Sequence, residues 1–394
     1  MQIKQIYELV NSVSQEVLGT SDIVDENLNG VVDFGNTIFG SNNIDNYVKS
    51  LVNHIGKMWF VDRVYNGKDY NVLRDAWDFG SILEKVIVHT PEASENASWE
   101  LNDGESYDPN VFYKPVVSAK FFNQKTTFEI DMSFTEMQVR ESFSSAEELN
   151  RFISTIYIAV DRSMTVKLQA LIKRLFNAMI AETFSNDFPS GGYGNGSTVK
   201  CVNLLYLYNQ IYTSDTVTVS TALHTPKFLR FCAEIMGKYV DRMGEISTLF
   251  NIDGTEKFTP SDLLNIVMLS DFIHAVNVNL EADVWHNELT SLPDNNLQIV
   301  PFWQGSGTGG TAYDFDKISS IDVTLPDNTQ IQADGILAIM FDRDTVAVTN
   351  QNRRVTSNYN PKAEFTTYFN KVDVQYLADS SENFVVFYIA DTTN

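Results

Sequence analysis

Cysteine is nearly absent from this chain: two thiols, Cys201 and Cys232, in 394 residues. Both fall in stretches of helical pattern and match no metal-binding or redox spacing, so they read as buried thiols in a reducing compartment. Histidine is almost as sparse, and the five present (His54, His89, His224, His274 and His286) show no HExxH or His-Cys spacing. Basic residues are short too. Lys plus Arg number 28 against 51 Asp plus Glu, a formal net charge of −23. An acidic surface of that kind repels phosphate backbones, which argues against groove-reading of nucleic acid and leaves passive containment open. No apolar run approaches the roughly 18 residues of a membrane span. Met1-Gln2-Ile3-Lys4 leads into an amphipathic pattern where a signal peptide would have a greasy core, so synthesis in the cytoplasm is expected.

Signatures of chemistry are missing as well. Gly305-Ser306-Gly307-Thr308-Gly309-Gly310 has the flexibility of a phosphate loop without its Lys-Ser/Thr pair. Asn251-Ile252-Asp253-Gly254 begins like a calcium loop, but its glycine comes too early and Pro260 falls near the place of the closing glutamate. There is no GxSxG, and Glu147 with Glu148 is accounted for by helix capping and the helix dipole. No catalytic residue, metal or cofactor is expected.

What the chain does have is 43% apolar residues, enough for sizeable cores in two or three domains. Its most regular stretch runs from Ser145 to Phe184. Ser145-Ala146-Glu147-Glu148 is a capping box that marks a helix start. Leu149, Phe152, Ile153, Ile156, Val160, Met164, Leu168, Leu171, Ile172, Leu175, Phe176, Met179 and Ile180 follow at spacings of three and four, with Arg151, Arg162, Lys167, Lys173 and Arg174 mostly off the stripe. Some forty residues at about 1.5 Å each make a rod of about 60 Å. Periodicity alone fits a long core helix or one arm of a coiled coil.

Ahead of that rod the pattern predicts short helices at 3–17 and 44–56, separated by a polar arm, and strands at 58–65 and 82–88. Residues 89–113 then contain Glu92, Glu95, Glu100, Asp103, Glu105 and Asp108, together with Trp99, and no Lys or Arg. Strands return at 115–122 and 126–134 around Asn123-Gln124-Lys125. Together these strands predict a protruding hairpin whose apolar stem, with Phe112, Tyr113, Val116, Phe121 and Phe122, needs a partner surface. An ordinary solvated loop is the plain alternative, and no cation-loop spacing favours a metal among these carboxylates. Beyond the rod come a glycine-rich hinge at 189–197, helices at 204–211, 227–248 and 270–289, and strands at 263–269 and 297–303. Strands at 335–341, 345–348, 353–356, 364–377 and 384–390 close the chain. The fold class is α+β, with an α/β part inserted into a helix-plus-sheet platform.

This order of parts resembles a tailed-phage major capsid protein of the Hong Kong 97 fold, and among these the small Phi-29-type short-tailed phages. The resemblance lies in Ile38 to Val64, in Phe112 to Met179 with Phe121-Phe122-Asn123-Gln124-Lys125 and then Phe143-Ser144-Ser145-Ala146-Glu147-Glu148-Leu149-Asn150-Arg151-Phe152-Ile153, and in Asp334 to Tyr388 through Arg353-Arg354-Val355, Asn360-Pro361 and Tyr368-Phe369. It implies an N-terminal arm and docking helix (1–60), an extended loop (61–135), a peripheral domain with a spine helix (136–212), an axial domain (213–340) and return strands of the peripheral domain (341–394). It further implies self-assembly into pentamers and hexamers, with scaffolding protein, portal protein and packaged double-stranded DNA as partners, in a virion assembled in the bacterial cytoplasm. Inter-subunit contacts would involve Glu92, Glu95, Trp99, Glu100, Asp103, Glu105 and Asp108. Their basic partners would come from Arg162, Lys167, Arg174, Arg353, Arg354, Lys362 and Lys371. Some relatives lock the shell through a lysine of the extended loop; residues 89–113 here hold none. An encapsulin-type nanocompartment shares the implied fold, and an acidic hydrolase using Glu92, Glu95 or Glu100 is the alternative from another class.

Overall fold

The computed structural model describes residues 11, 15–16, 72–74, 83–91, 93, 95, 103, 110, 112–135, 146–280, 292–304 and 318–391. The strand expected at 58–65 and the helix at 44–56 lie outside them. Of the helix at 3–17, Asn11, Gln15 and Glu16 are described and are helical.

The predicted rod is α1, Ala146–Asp187, 42 residues long. From Val160 onward its stripe is buried without a break through Met164, Leu168, Leu171, Ile172, Leu175, Phe176, Met179 and Ile180. Two buried polar side chains sit on this part of α1: the Asn177 amide donates to the Trp303 carbonyl at 3.2 Å, and the Thr183 hydroxyl donates back to the Met179 carbonyl at 2.7 Å.

Among the described residues, two larger sheets and two antiparallel two-stranded pairs, Leu83–Val88 with Val117–Phe122 and Ile321–Thr324 with Gln330–Ala333, accompany α1. The short strand β1 (Leu73–Arg74) is followed by β2 (Leu83–Val88), β3 (Val117–Phe122) and β4 (Lys125–Thr135). After α1 come β5 (Cys201–Asn203), α2 (Leu204–Ile211), α3 (Val219–Ala222), α4 (Pro226–Met243), β6 (Leu264–Leu269), α5 (Ser270–Leu280) and β7 (Gln298–Val300). The chain finishes with β8 (Ile321–Thr324), β9 (Gln330–Ala333), β10 (Ile336–Asp342), β11 (Val346–Asn360), β12 (Phe365–Ala378) and β13 (Phe384–Tyr388).

One sheet runs β5-β13-β10-β6-β7. Its inner strands β6, β10 and β13 are buried at every residue, the mark of a sheet covered on both faces. Alternation along β10 and β13 sorts the cover. Phe341 meets Phe176 of α1 at 5.4 Å and Tyr388 meets Phe184 of α1 at 5.0 Å, while Phe387, on the opposite face, meets Tyr239 of α4 at 5.2 Å. The other sheet runs β1-β11-β12-β4 and is dominated by the long antiparallel pair β11 and β12.

Several expectations change. The strands predicted at 345–348 and 353–356 are one strand, β11, continuous through a bulge between Asn350 and Asn352; the polar run Thr349-Asn350-Gln351-Asn352 hid the join. β4 does not belong to the protruding hairpin but pairs with β12 along its whole length. Residues 341–394 do not all return to the platform. β13 joins the sheet of the inserted part, and β10 crosses the expected boundary at 340. The cause is composition: Phe384-Val385-Val386-Phe387-Tyr388 is apolar on both faces and fits the middle of a covered sheet. The glycine stretch 189–197 is no free hinge either. The Tyr388 hydroxyl donates to the Tyr193 carbonyl at 2.8 Å, and the Tyr193 ring packs on Phe184 and Tyr388.

Candidate assembly surface

β2 and β3 form an antiparallel hairpin in which Glu84 faces Phe121, Val86 faces Ala119 and Val88 faces Val117. These six share one face because side chains alternate along a strand. That face is bare: Val86 is 58%, Val88 62%, Val117 52% and Phe121 62% exposed. At the distal end Phe112 and Tyr113 are each 84% exposed. The opposite face carries Lys85 against Lys120, with Phe122 buried beside Ala347 and Leu377. A strand pair with a mostly apolar open face, Glu84 apart, and lysines on the covered one inverts the usual arrangement of a half-solvated sheet.

The covered face is held by charge. Like charges directly opposite on paired strands repel, and Lys85 and Lys120 are tolerable only because a carboxylate sits between them. Lys85 Nζ donates to Asp379 at 2.6 Å and to Glu382 at 2.5 Å. Lys120 Nζ donates to Asp379 at 2.8 Å, to Asp253 at 3.1 Å and to the Ser380 hydroxyl at 3.0 Å. Lys257 adds a bond to Glu382 at 2.7 Å. Asp379, with its side chain 0% exposed, also accepts from the backbone N–H and hydroxyl of Ser381 at 3.0 and 2.7 Å. Burial works against its charge, but the bonds from Lys120, Lys85 and Ser381 outweigh burial and hold the carboxyl far below the usual carboxylate range. Burial likewise lowers both lysines, and their bonds to Asp379 with Glu382 or Asp253 reverse the direction to a net rise.

Of the acidic residues expected at the loop tip, Glu95 and Asp103 are described and exposed. Glu92, Trp99, Glu100, Glu105 and Asp108 lie outside the described residues. Among the expected basic partners, Arg162, Lys167 and Arg174 are exposed along α1 beside Val166, which is 56% exposed. Arg354 forks onto Asp373 at 2.5 and 3.2 Å, and Lys371 reaches Glu129 at 3.2 Å, so both already have partners within the chain. Lys362 is exposed beyond the end of β11, and the Arg353 backbone pairs opposite Val372. Sequence reasoning missed Lys85, Lys120 and Asp379. The one available signal was a lysine in each of two mostly apolar strands, at a position where alternation calls for an inward side chain.

Among the described residues no group of three His, Cys, Asp or Glu is arranged to hold a metal ion, and no helix is long and apolar enough to cross a membrane. Cys201 and Cys232 are free and buried, and burial pushes both thiols well up.

Comparison with known proteins bears on the whole chain. The family model described as Phi29-like phage major capsid protein matches residues 7–388. No curated protein matches. A chain in the capsid structure of Staphylococcus phage Andhra is similar with a TM-score of 0.51 at 11% identity, over 82% of this chain and 84% of that one. A chain in the structure of the head fiber and inner core protein of bacteriophage P68 gives 0.47 at 9% identity, over 82% and 84%. The cyanophage P-SCSP1u capsid gives 0.42 at 11% identity, over 82% and 87%. At these identities the Andhra likeness speaks to fold, a Hong Kong 97-type capsid fold of mixed helix and sheet. The family match over nearly the full length shows what the chain is: a member of the Phi29-like phage major capsid protein family and a shell component of a tailed-phage virion.

Proposed function

We propose that the shell is built by docking the outward face of the β2–β3 hairpin on the next copy of the chain, within pentamers and hexamers. The single observation that carries this is the row Val86, Val88, Val117 and Phe121, apolar, exposed and set on a hairpin that is otherwise pinned to its own subunit. The receiving surface is the exposed side of α1, where Arg162, Val166, Lys167 and Arg174 recur at helical spacing. Valine there meets the apolar stem, and the basic groups meet the acidic stretch Glu92 to Asp108. Lys362 and Arg353 remain further candidates. Arg354 and Lys371 drop in rank because Asp373 and Glu129 already engage them. Rim ion pairs of this kind contribute little singly, on the order of 0–1 kcal/mol, so affinity rests on the apolar row and the charges set direction.

On this scheme the β5–β13 sheet with α4 and α5 is the axial part, gathered near the capsomer centre. α1 with the long β11–β12 pair is the peripheral platform. Scaffolding protein, portal protein and packaged double-stranded DNA are the further partners, with DNA contained and not gripped, in keeping with a net charge of −23. Deleting residues 91–110 tests the loop's role. The expected product is a folded subunit that forms no closed shell in negative-stain images. Shells of normal appearance from that deletion would remove the loop from assembly.

A further inference from the structure

The Asp379 cluster sits where three parts of the subunit meet. Lys85 and Lys120 come from the hairpin. Asp379 to Glu382 form the turn that leads from the long β11–β12 pair into β13, and Asp253 and Lys257 belong to the loop after α4 in the inserted part. That loop is itself tied to the turn, since Ile252 N–H donates to the Ser380 carbonyl at 3.0 Å and the Thr255 hydroxyl to the Ser381 carbonyl at 2.8 Å. Every bond in the cluster is directional, and Asp379 uses one oxygen for each lysine. Sliding or tilting the hairpin by even one residue would break both bonds and set two ammonium groups facing each other with nothing between.

We propose that Lys85, Lys120 and Asp379 are positioning residues: together they fix the angle at which the hairpin leaves the subunit, and through that angle the curvature of the shell. The inference rests on the hairpin docking described above and adds to it the device that aims the hairpin. An apolar stem alone slides, because hydrophobic contact is non-directional. Two lysines on one buried carboxylate specify a single attitude. Curvature is a matter of angle between neighbours, so a hairpin that docks normally but points loosely still assembles, only without a defined size.

The test is a Lys85→Met/Lys120→Met double variant, with Lys85→Arg/Lys120→Arg as the conservative control. Lys120→Met alone, which leaves Asp379 its Lys85 partner, serves if the double variant does not fold. In the unassembled subunit, hydrogen exchange of the β3 amides should rise by about tenfold or more, equivalent to about 1.4 kcal/mol, while β10 and β13 exchange as before. Mixed with scaffold, the Met variants should give particles of scattered diameter or open sheets, and the Arg control should restore one diameter. Unchanged β3 exchange overturns the proposal. So does faster exchange with a single native diameter, since the clamp would then be structural only. Phe121→Ala is run alongside: if it assembles as readily as the parent, hairpin docking itself fails, and the clamp's role in curvature falls with it.

Discussion

Phe121→Ala is the sharpest probe of hairpin docking, because its effect on assembly and on folding separate cleanly. A phenylalanine side chain buries on the order of 200 Å². Phe121 is 62% exposed in the subunit, so about 120 Å² is open for a neighbour, worth about 3 kcal/mol at about 25 cal/mol per Å². Alanine keeps the β-carbon, which leaves a loss of about 2 kcal/mol for each docked hairpin. Each subunit in a closed ring gives one hairpin and receives one, so this loss counts once per subunit added. At about 1.4 kcal/mol per tenfold, the concentration at which shells first appear should rise about 30-fold. Folding should hardly notice, since truncating an exposed side chain changes stability by about 0.5 kcal/mol or less. Sedimentation across a dilution series measures the first quantity and thermal unfolding of the dispersed subunit the second. A threshold within about twofold of the parent, where a factor of 30 follows from the area, would refute the docking of this face.

Two further outcomes follow from the same structure. Gly335 holds a left-handed backbone (φ +74°), and a β-carbon there would press into the Ile389 carbonyl oxygen; Gly335→Ala should cost about 3 kcal/mol or more through strain and loss of the β10–β13 junction, and a denaturant midpoint equal to the parent's would contradict the packing. The clamp also has a pH signature. Both lysines are raised in the folded state, so their contribution is complete below about pH 10.4 and fades as pH climbs through the raised values. Asp379 is depressed, so its contribution is complete above about pH 3.9 and is lost as pH falls toward its folded value. Protection of the β3 amides, corrected for the intrinsic pH dependence of exchange, should therefore be level between about pH 5 and 9. A steady decline across that window would show that other groups hold the hairpin.

Much of this architecture is legible in the residues themselves. The stripe from Val160 to Ile180 announces α1 because a period near 3.6 sustained over so many turns has no other regular solution. β3 and β4 are visible through their polar turn, and β10 and β13 through unbroken apolar runs. Such a run reveals that a strand is covered on both faces but says nothing of its neighbours. That is why β13 looked like platform and lies between β10 and β5. The clamp was invisible for a different reason: Lys85 and Asp379 are 294 positions apart and Lys120 and Asp379 259, and no local pattern links residues so distant. Conversely, the acidic stretch around Glu95 and Asp103 stands out in composition, while the exposed apolar face of the hairpin shows only once alternation is anchored by knowing which side of the hairpin Lys85 and Phe122 occupy.

The place of β13 has a consequence for synthesis. Every other strand of its sheet leaves the ribosome earlier, and the slot between β5 and β10 stays vacant until residues 384–388 emerge. Asp379, which seats the hairpin, arrives only a few residues before them. A nascent or truncated polypeptide therefore lacks both an inner strand of this sheet and the carboxylate that holds the hairpin lysines. The same long-range closure makes folding of the sheet slow relative to helix formation.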